Sequence, residues 1–201
     1  FPSCPSTPGQ LELARLLADE MRQMGVSNVR LDEFGYVYGF VPASPGREDD
    51  PVIGLISHMD TSNAMPGANI KPRIVKNYNG GVIVLNEEKG VALSPAEFDF
   101  LPQYAGKDLI VTDGTTLLGA DDKAGIAEIL TAAQQLLAPG APSHGPFAIA
   151  FTPDEEIGRG ADHFDVAGFG AAYAYTLDGG AVGEIEYETF NAAAGRVVVH
   201  G

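Results

Sequence analysis

Two stretches of the chain, Val52-Ile53-Gly54-Leu55-Ile56 and Phe147-Ala148-Ile149-Ala150-Phe151-Thr152, are apolar at almost every position, and they restrict the fold more than any other feature of the sequence. A strand with one face in water alternates apolar and polar residues, whereas an unbroken apolar run of this length belongs to a strand covered on both faces. Helices must then supply the covers. Two amphipathic runs are available: Leu11, Leu13, Leu16, Leu17, Met21 and Met24 mark one buried face, and Ile126, Ile129, Leu130, Ala133, Leu136 and Leu137 mark another. The expectation is an α/β fold with a mainly parallel sheet flanked by helices.

The first helix opens at Thr7-Pro8-Gly9-Gln10, with Thr7 as N-cap, Pro8 in the first helical position and Gln10 placed to close a capping box. Gly25 supplies its C-cap. Residues 29–31 and 36–41 are β-rich and parted by Asp32-Glu33-Phe34-Gly35, which predicts a hairpin. Residues 61–118 scatter Gly, Pro and Asn among short strand-like runs at 81–85 and 109–112, which predicts an irregular excursion with small hairpins. A helix over 123–138 follows, then the apolar strand at 147–152, a short helix around 161–164 and a last strand over 173–177.

Charge and cysteine content exclude several classes. Twelve Lys and Arg against 27 Asp and Glu give a net charge of −15, the wrong sign for a nucleic-acid or anionic-membrane partner. Cys4 is the single cysteine, so no intrachain disulfide can form, and nothing around it would activate a thiol nucleophile. No apolar segment reaches the length of a membrane span, and Phe1-Pro2-Ser3-Cys4 lacks the regions of a signal peptide. The expectation is a cytoplasmic protein whose natural start lies upstream of Phe1 or was removed.

Each apolar strand runs into acidic or His-acid residues: His58-Met59-Asp60, Asp154-Glu155-Glu156 and Asp178-Gly179-Gly180, with Asp121-Asp122 at the start of the second amphipathic helix. In parallel sheets ligands gather at the carboxyl ends of strands, so these groups would share one rim. Taken singly, each has an ordinary structural explanation. Acids in a first turn complement the helix dipole, an acidic loop can be solvated, and Asp-Gly is a common turn. Taken together, one imidazole and several carboxylates from separate strand ends suit a pair of divalent cations that activate a water, such ions lying about 3.5–4 Å apart. Asp60, two residues from His58, could fix the tautomer of that ring. Of the three adjacent acids at 154–156, one could hold metal while a neighbour takes a proton from water.

Ser57-His58-Met59-Asp60-Thr61, Leu118-Gly119-Ala120-Asp121-Asp122-Lys123-Ala124-Gly125, Phe151-Thr152-Pro153-Asp154-Glu155-Glu156-Ile157-Gly158 and Thr176-Leu177-Asp178-Gly179-Gly180 resemble, in order and spacing, the motifs of the di-zinc peptidase family that includes carboxypeptidase G and aminoacylase. Within it, the segment from Pro5 to Gln10, Lys76 to Gly81 and residues 186–193 resemble the tripeptide aminopeptidases. The resemblance implies two zinc ions, for which cobalt or manganese could substitute. His58, Asp121 and Asp178 would hold one, and Asp121 would bridge to a second held by Glu156. It further implies Glu155 as general base, Asp60 as the group orienting His58, and a cis peptide bond between Asp121 and Asp122. The expected substrate is a short peptide.

One member of the family's ligand set has no counterpart here, a His that follows an inserted lid domain. Residues 1–195 are expected to form the first segment of the catalytic domain, with residues 196–201 the start of the strand entering the lid. The lid, the returning C-terminal strands and any homodimer contact made by the lid would lie outside the chain. His200, His144 and His163 are expected to be structural or surface residues. Two other readings stand beside tripeptide hydrolysis: a related amidohydrolase (carboxypeptidase, dipeptidase or N-acyl amino acid deacylase), and a catalytically incomplete fragment that binds cations without turnover.

Overall fold

The computed structural model describes residues 3–180, 183–188, 195 and 197–199. In chain order the elements are α1 (Pro8–Met24), β1 (Ser27–Leu31), β2 (Val37–Val41), β3 (Ile53–His58), β4 (Arg73–Val75), β5 (Ile83–Asn86), β6 (Val91–Leu93), β7 (Leu109–Val111), α2 (Ala120–Leu137), β8 (Phe147–Thr152), α3 (Val166–Phe169) and β9 (Tyr173–Thr176), with 3-10 turns at Leu101–Tyr104 and Glu155–Ile157.

Five strands form the main sheet in the order β1-β2-β8-β3-β9. β3 lies parallel to both β8 and β9, while β2 runs antiparallel to β8 and β1 antiparallel to β2. The parallel part is therefore three strands wide, and the hairpin read from residues 29–41 extends one edge. All six residues of β8 are buried, as the unbroken apolar run requires. Its side chains alternate between two cores. Phe147, Ile149 and Phe151 join Leu17, Met21, Ile126 and Ile129 under α1 and α2, and Ala148 and Ala150 join Tyr36, Tyr38 and Phe169 on the opposite face. Each large aliphatic or aromatic side chain removed from water in this way stabilises the fold by roughly 1.5–3 kcal/mol. The approach of α1 is close. A Cβ added at Gly39 in β2 would stand 2.2 Å from the Met21 side chain.

Gly25 closes α1 as expected, with φ 89° and its N–H donated to Arg22 O. The start of α1 departs from expectation. Thr7 occupies the N-cap position and Pro8 follows it, but no capping side-chain bond forms. The Gln10 amide reaches the Thr7 hydroxyl at 3.0 Å but also bonds Asp154, far away in sequence, so the local contact is shared with a tertiary partner. The short helix expected around 161–164 is also displaced. Residues 161–163 turn, and the helix forms at Val166–Phe169, where the Asp165 carboxylate accepts Gly168 N–H at 2.8 Å. A capping carboxylate at 165 and the burial of Phe169 select that register.

Between β3 and α2 the excursion contains two small sheets, the β5–β6 hairpin and the β4–β7 pair that closes around it. Tyr78, Ile83 and Leu101 form a core of their own there. Val197–Val199, expected as a strand, take no regular structure and are exposed, since no described strand pairs with them to complete a ladder. His200 lies outside the described residues. Among those residues no helix is long and apolar enough to cross a membrane.

Candidate metal centre

Because β3, β8 and β9 are parallel, their carboxyl ends share one rim. His58 ends β3 opposite Thr152, the last residue of β8, and Ile56 pairs with Thr176, the last residue of β9. The chain then delivers Glu155 and Glu156 three and four residues past Thr152, and Asp178 two residues past Thr176. The start of α2 is brought down on the same rim. A Cβ at Gly125 would lie 2.2 Å from Leu177 O and 2.7 Å from Ser57 Oγ, so that a glycine is needed for the helix to seat there. Asp121 and Asp122 depart from helical geometry and are joined by a cis peptide bond, as the resemblance implied.

His58 is the hub. Its side chain is 3% exposed, and Nε2 lies 2.9 Å from Asp121 Oδ1 and 3.8 Å from both Glu155 Oε2 and Asp178 Oδ2. Nδ1 faces Asp60, 3.1 Å from its carbonyl oxygen and 3.4 Å from its carboxylate. A proton on Nδ1 is thus held by Asp60, which leaves Nε2 as the ring atom aimed at the acids. Burial alone would lower the His58 pKa, but the carboxylates of Asp60, Asp178 and Asp122 outweigh it and push the value up to about 9. Asp60 does a second job: its two carboxylate oxygens accept the backbone N–H groups of Glu155 and Glu156, each at 3.0 Å. Burial would raise its pKa, and His58 with those two N–H groups brings it below the ordinary range.

Two groups of donor atoms lie within 4.8 Å of one another: His58 with Asp121 and Glu156, and His58 with Asp122 and Asp178. His58, Asp121, Glu156 and Asp178 fall in these groups, and Asp60 and Glu155 lie beside His58. The grouping differs in one respect from the set that the resemblance implied, for Asp178 clusters with Asp122, and Asp121 with Glu156. An imidazole among several carboxylates is a donor set for a borderline divalent cation, and this one fits such an ion. Access is from one side. Asp121, Glu155 and Asp178 are 62%, 50% and 42% exposed at the side chain, against the 3% of His58. Burial, with Asp178, Asp60 and Glu156 against the opposing pull of His58, raises the Glu155 pKa, the direction a proton acceptor near neutral pH needs.

Sequence reasoning gave Asp122 no role, yet it is 2% exposed and central. Its carboxylate accepts the Ser57 hydroxyl and the His58 N–H, the latter at 3.0 Å, so it locks the end of β3 to the start of α2. Burial raises its pKa. The signal was present in Ser57, a hydroxyl directly before the candidate ligand. Asp154, to which no role was given, turns away from Glu155 and Glu156 toward Ser6 and Gln10, so two acids of that triplet face the cluster. Of the other candidates, His163 stacks on Phe34 at 3.9 Å and His144 packs beside Phe147; neither joins the cluster. Cys4 donates to Phe34 O, and burial and Asp154 raise its thiol pKa, which disfavours a nucleophile. An apolar cavity of about 730 Å³ adjoins the start of α2, lined by Ile83, Leu93, Leu101, Tyr104 and Leu109 together with Gly119 and Lys123.

A covered α/β sheet with imidazole and carboxylate donors collected on its carboxyl rim defines a class, the α/β proteins with a candidate divalent-cation centre at the strand ends. Residues 96–190 match the model of peptidase family M20/M25/M40. The chain is 59% identical over 197 residues to Peptidase T of Halothermothrix orenii and 54% identical over 199 residues to that of Geobacillus kaustophilus, alignments covering 98% and 99% of this chain and 48% of each relative. The chain spans about half the length of the curated relatives it matches. Among solved structures it resembles aminopeptidase PepT from Bacillus cereus (TM-score 0.59, 30% identity) and a tripeptidase from Staphylococcus aureus (TM-score 0.59, 26% identity), in each case over 84% of this chain and 38% of the other.

Proposed function

We propose that this chain is the first segment of a cytoplasmic metal-dependent aminopeptidase that releases the N-terminal residue from tripeptides. The observation that carries the reading is the convergence of His58, Asp121 and Glu156 within 4.8 Å, with Glu155 beside them at 3.8 Å from His58 Nε2. Residues 1–195 would form the catalytic-domain segment, and residues 196–201 would lead toward a lid that also carries any dimer contact. His58, Asp121, Glu156 and Asp178 would hold two zinc ions. A divalent cation there supplies polarisation of a carbonyl and acidification of a water.

The protein's own groups then divide the remaining work. Asp60 keeps His58 in the tautomer that presents Nε2, and through the Glu155 and Glu156 N–H groups it holds the turn bearing the base. Glu155 accepts the proton of the attacking water and returns it to the departing amine. Asp122 keeps β3 and α2 in register beneath the reacting groups. The apolar cavity beside Gly119 suits a hydrocarbon side chain of the peptide. His58 supplies the imidazole of both donor groups, and one Nε2 serves one ion well. A second ion would draw a further ligand from the other half of a protein of the relatives' length.

The test uses the full-length protein loaded with zinc, given free tripeptides and the same peptides N-acetylated. Release of the N-terminal residue from the free peptides alone, abolished by chelation and restored by zinc, is the expected result. Cleavage of the acylated compounds or of C-terminal residues would replace the reading with another amidohydrolase. Metal uptake with no turnover on any of these would overturn hydrolysis altogether.

A further inference from the structure

We infer that Asp154 is a positioning residue through which the N-terminal segment Ser6–Gln10 sets the geometry of Glu155 and Glu156, an inference that rests on the reading of Glu155 as base and Glu156 as ligand. Asp154 is fully buried and has φ 58°, a conformation that L residues seldom adopt and keep only when their surroundings impose it. The surroundings are specific. Ser6 N–H lies 2.9 Å from both carboxylate oxygens, Ser6 Oγ donates to Oδ1 at 2.6 Å, and Gln10 Nε2 donates to Oδ1 at 2.8 Å. The same Gln10 amide accepts the Asp154 backbone N–H at 3.0 Å through Oε1. One side chain therefore grips both the carboxylate and the main chain of Asp154.

The consequence falls on the next two residues. The 3-10 turn Glu155–Ile157 begins directly after Asp154, and its first two N–H groups are held by Asp60. The backbone bearing the base and the ligand is pinned on one side by Asp60, which also touches His58, and on the other by the start of α1. Neither clamp uses the carboxylates of Glu155 or Glu156, which stay free for the cluster. Gln10 Nε2 also reaches Thr7 Oγ1 at 3.0 Å and Ser6 Oγ at 3.3 Å, so the same side chain ties the start of α1 to the turn. Partners that orient metal ligands typically change metal affinity or activity about 10–100-fold when removed.

The experiment compares wild type, Gln10→Met and Val41→Ala in the full-length protein. Gln10→Met keeps length and loses both hydrogen bonds to Asp154 together with those to Ser6 and Thr7, while Val41→Ala opens the core at the opposite end of β8, where Val41 pairs with Phe147. The expected result for Gln10→Met is zinc affinity lower by roughly 10-fold and kcat lower by about 10–100-fold with KM changed less than about 3-fold. Val41→Ala should lose melting temperature with kcat of the folded enzyme retained. Unchanged affinity and kcat in Gln10→Met, or equal losses in Val41→Ala, would overturn the inference. If Gln10→Met does not fold, Ser6→Ala is read the same way with a smaller effect. If the zinc-loaded wild type fails to cleave tripeptides, the functional reading is what fails, and zinc affinity by itself then decides the positioning role.

Discussion

Neighbouring acids on one rim have different tasks because their surroundings differ. Asp122 and Asp154 are buried and spend their oxygens on Ser57 and the His58 N–H, or on Ser6 and Gln10, while Asp121, Glu155 and Asp178 keep theirs exposed to solvent beside Nε2. Removing one group from each side of the Glu155–Asp121 pair separates base from ligand. Glu155→Gln retains size and polarity but cannot take a proton, so zinc stoichiometry should be unchanged while kcat falls by about 10²–10⁴. Asp121→Ala should instead lower zinc affinity by at least about 100-fold, more than the 10–100-fold typical of groups that merely orient a ligand. Both are read by chelator competition and tripeptide turnover, and a Glu155→Gln enzyme with wild-type kcat would remove Glu155 from the chemistry. At this scale the sequence made the outward acids legible, since their motifs carry them. The run of three acids by itself did not distinguish Asp154 from Glu155, because Asp154 is held in the core by Ser6 and Gln10, distant in sequence.

The elements were legible where one pattern decides them. The β8 run is buried at all six positions, and the regular part of α2 begins at Lys123 after the non-helical Asp121 and Asp122, where the apolar periodicity placed it. Capping was less legible, as the displacement of α3 to Asp165 and the sharing of Gln10 between Thr7 and Asp154 show. Seating α2 on the rim depends on Gly125, and glycine there answers to space rather than to backbone conformation. A methyl group would meet Leu177 O, a backbone atom that cannot move cheaply, together with Asp122 Oδ1 at 2.6 Å. Gly125→Ala should cost about 1–3 kcal/mol by overpacking, even though alanine is the better helix former. It should also weaken zinc binding, since Asp121 and Asp122 ride on the displaced turn. Gly9→Ala in α1, with nothing within 4 Å, is the control and should be neutral to about 1 kcal/mol stabilising. Urea midpoints with and without zinc measure both, and a Gly125→Ala protein as stable as wild type would show that the helix is not seated so tightly.

For the whole molecule, the donor inventory is lopsided. Among the described residues one imidazole, His58, serves both donor groups, while four carboxylates of the cluster crowd around it in a chain of net charge −15. Like charges held together favour any divalent cation that neutralises them, so a first ion should bind this chain tightly, with a second held mainly by carboxylates and much more weakly. The sequence made this imbalance legible, since the acid motifs at 121–122, 154–156 and 178 are joined by one motif histidine, His58. What the sequence could not convey is that both groups share one Nε2, a fact of three-dimensional placement. The expected stoichiometry is therefore one tightly bound zinc for the 201-residue chain and two for a protein of the relatives' length. Zinc at about 100 times Kd should stabilise the chain by about 2.7 kcal/mol, visible as a rise in melting temperature that chelation reverses. Two tight ions in the short chain would mean that the carboxylates suffice without another imidazole. No tight ion would mean that His58 and its acids need the other half of the protein before they act as a site, and the melting temperature would then be indifferent to zinc.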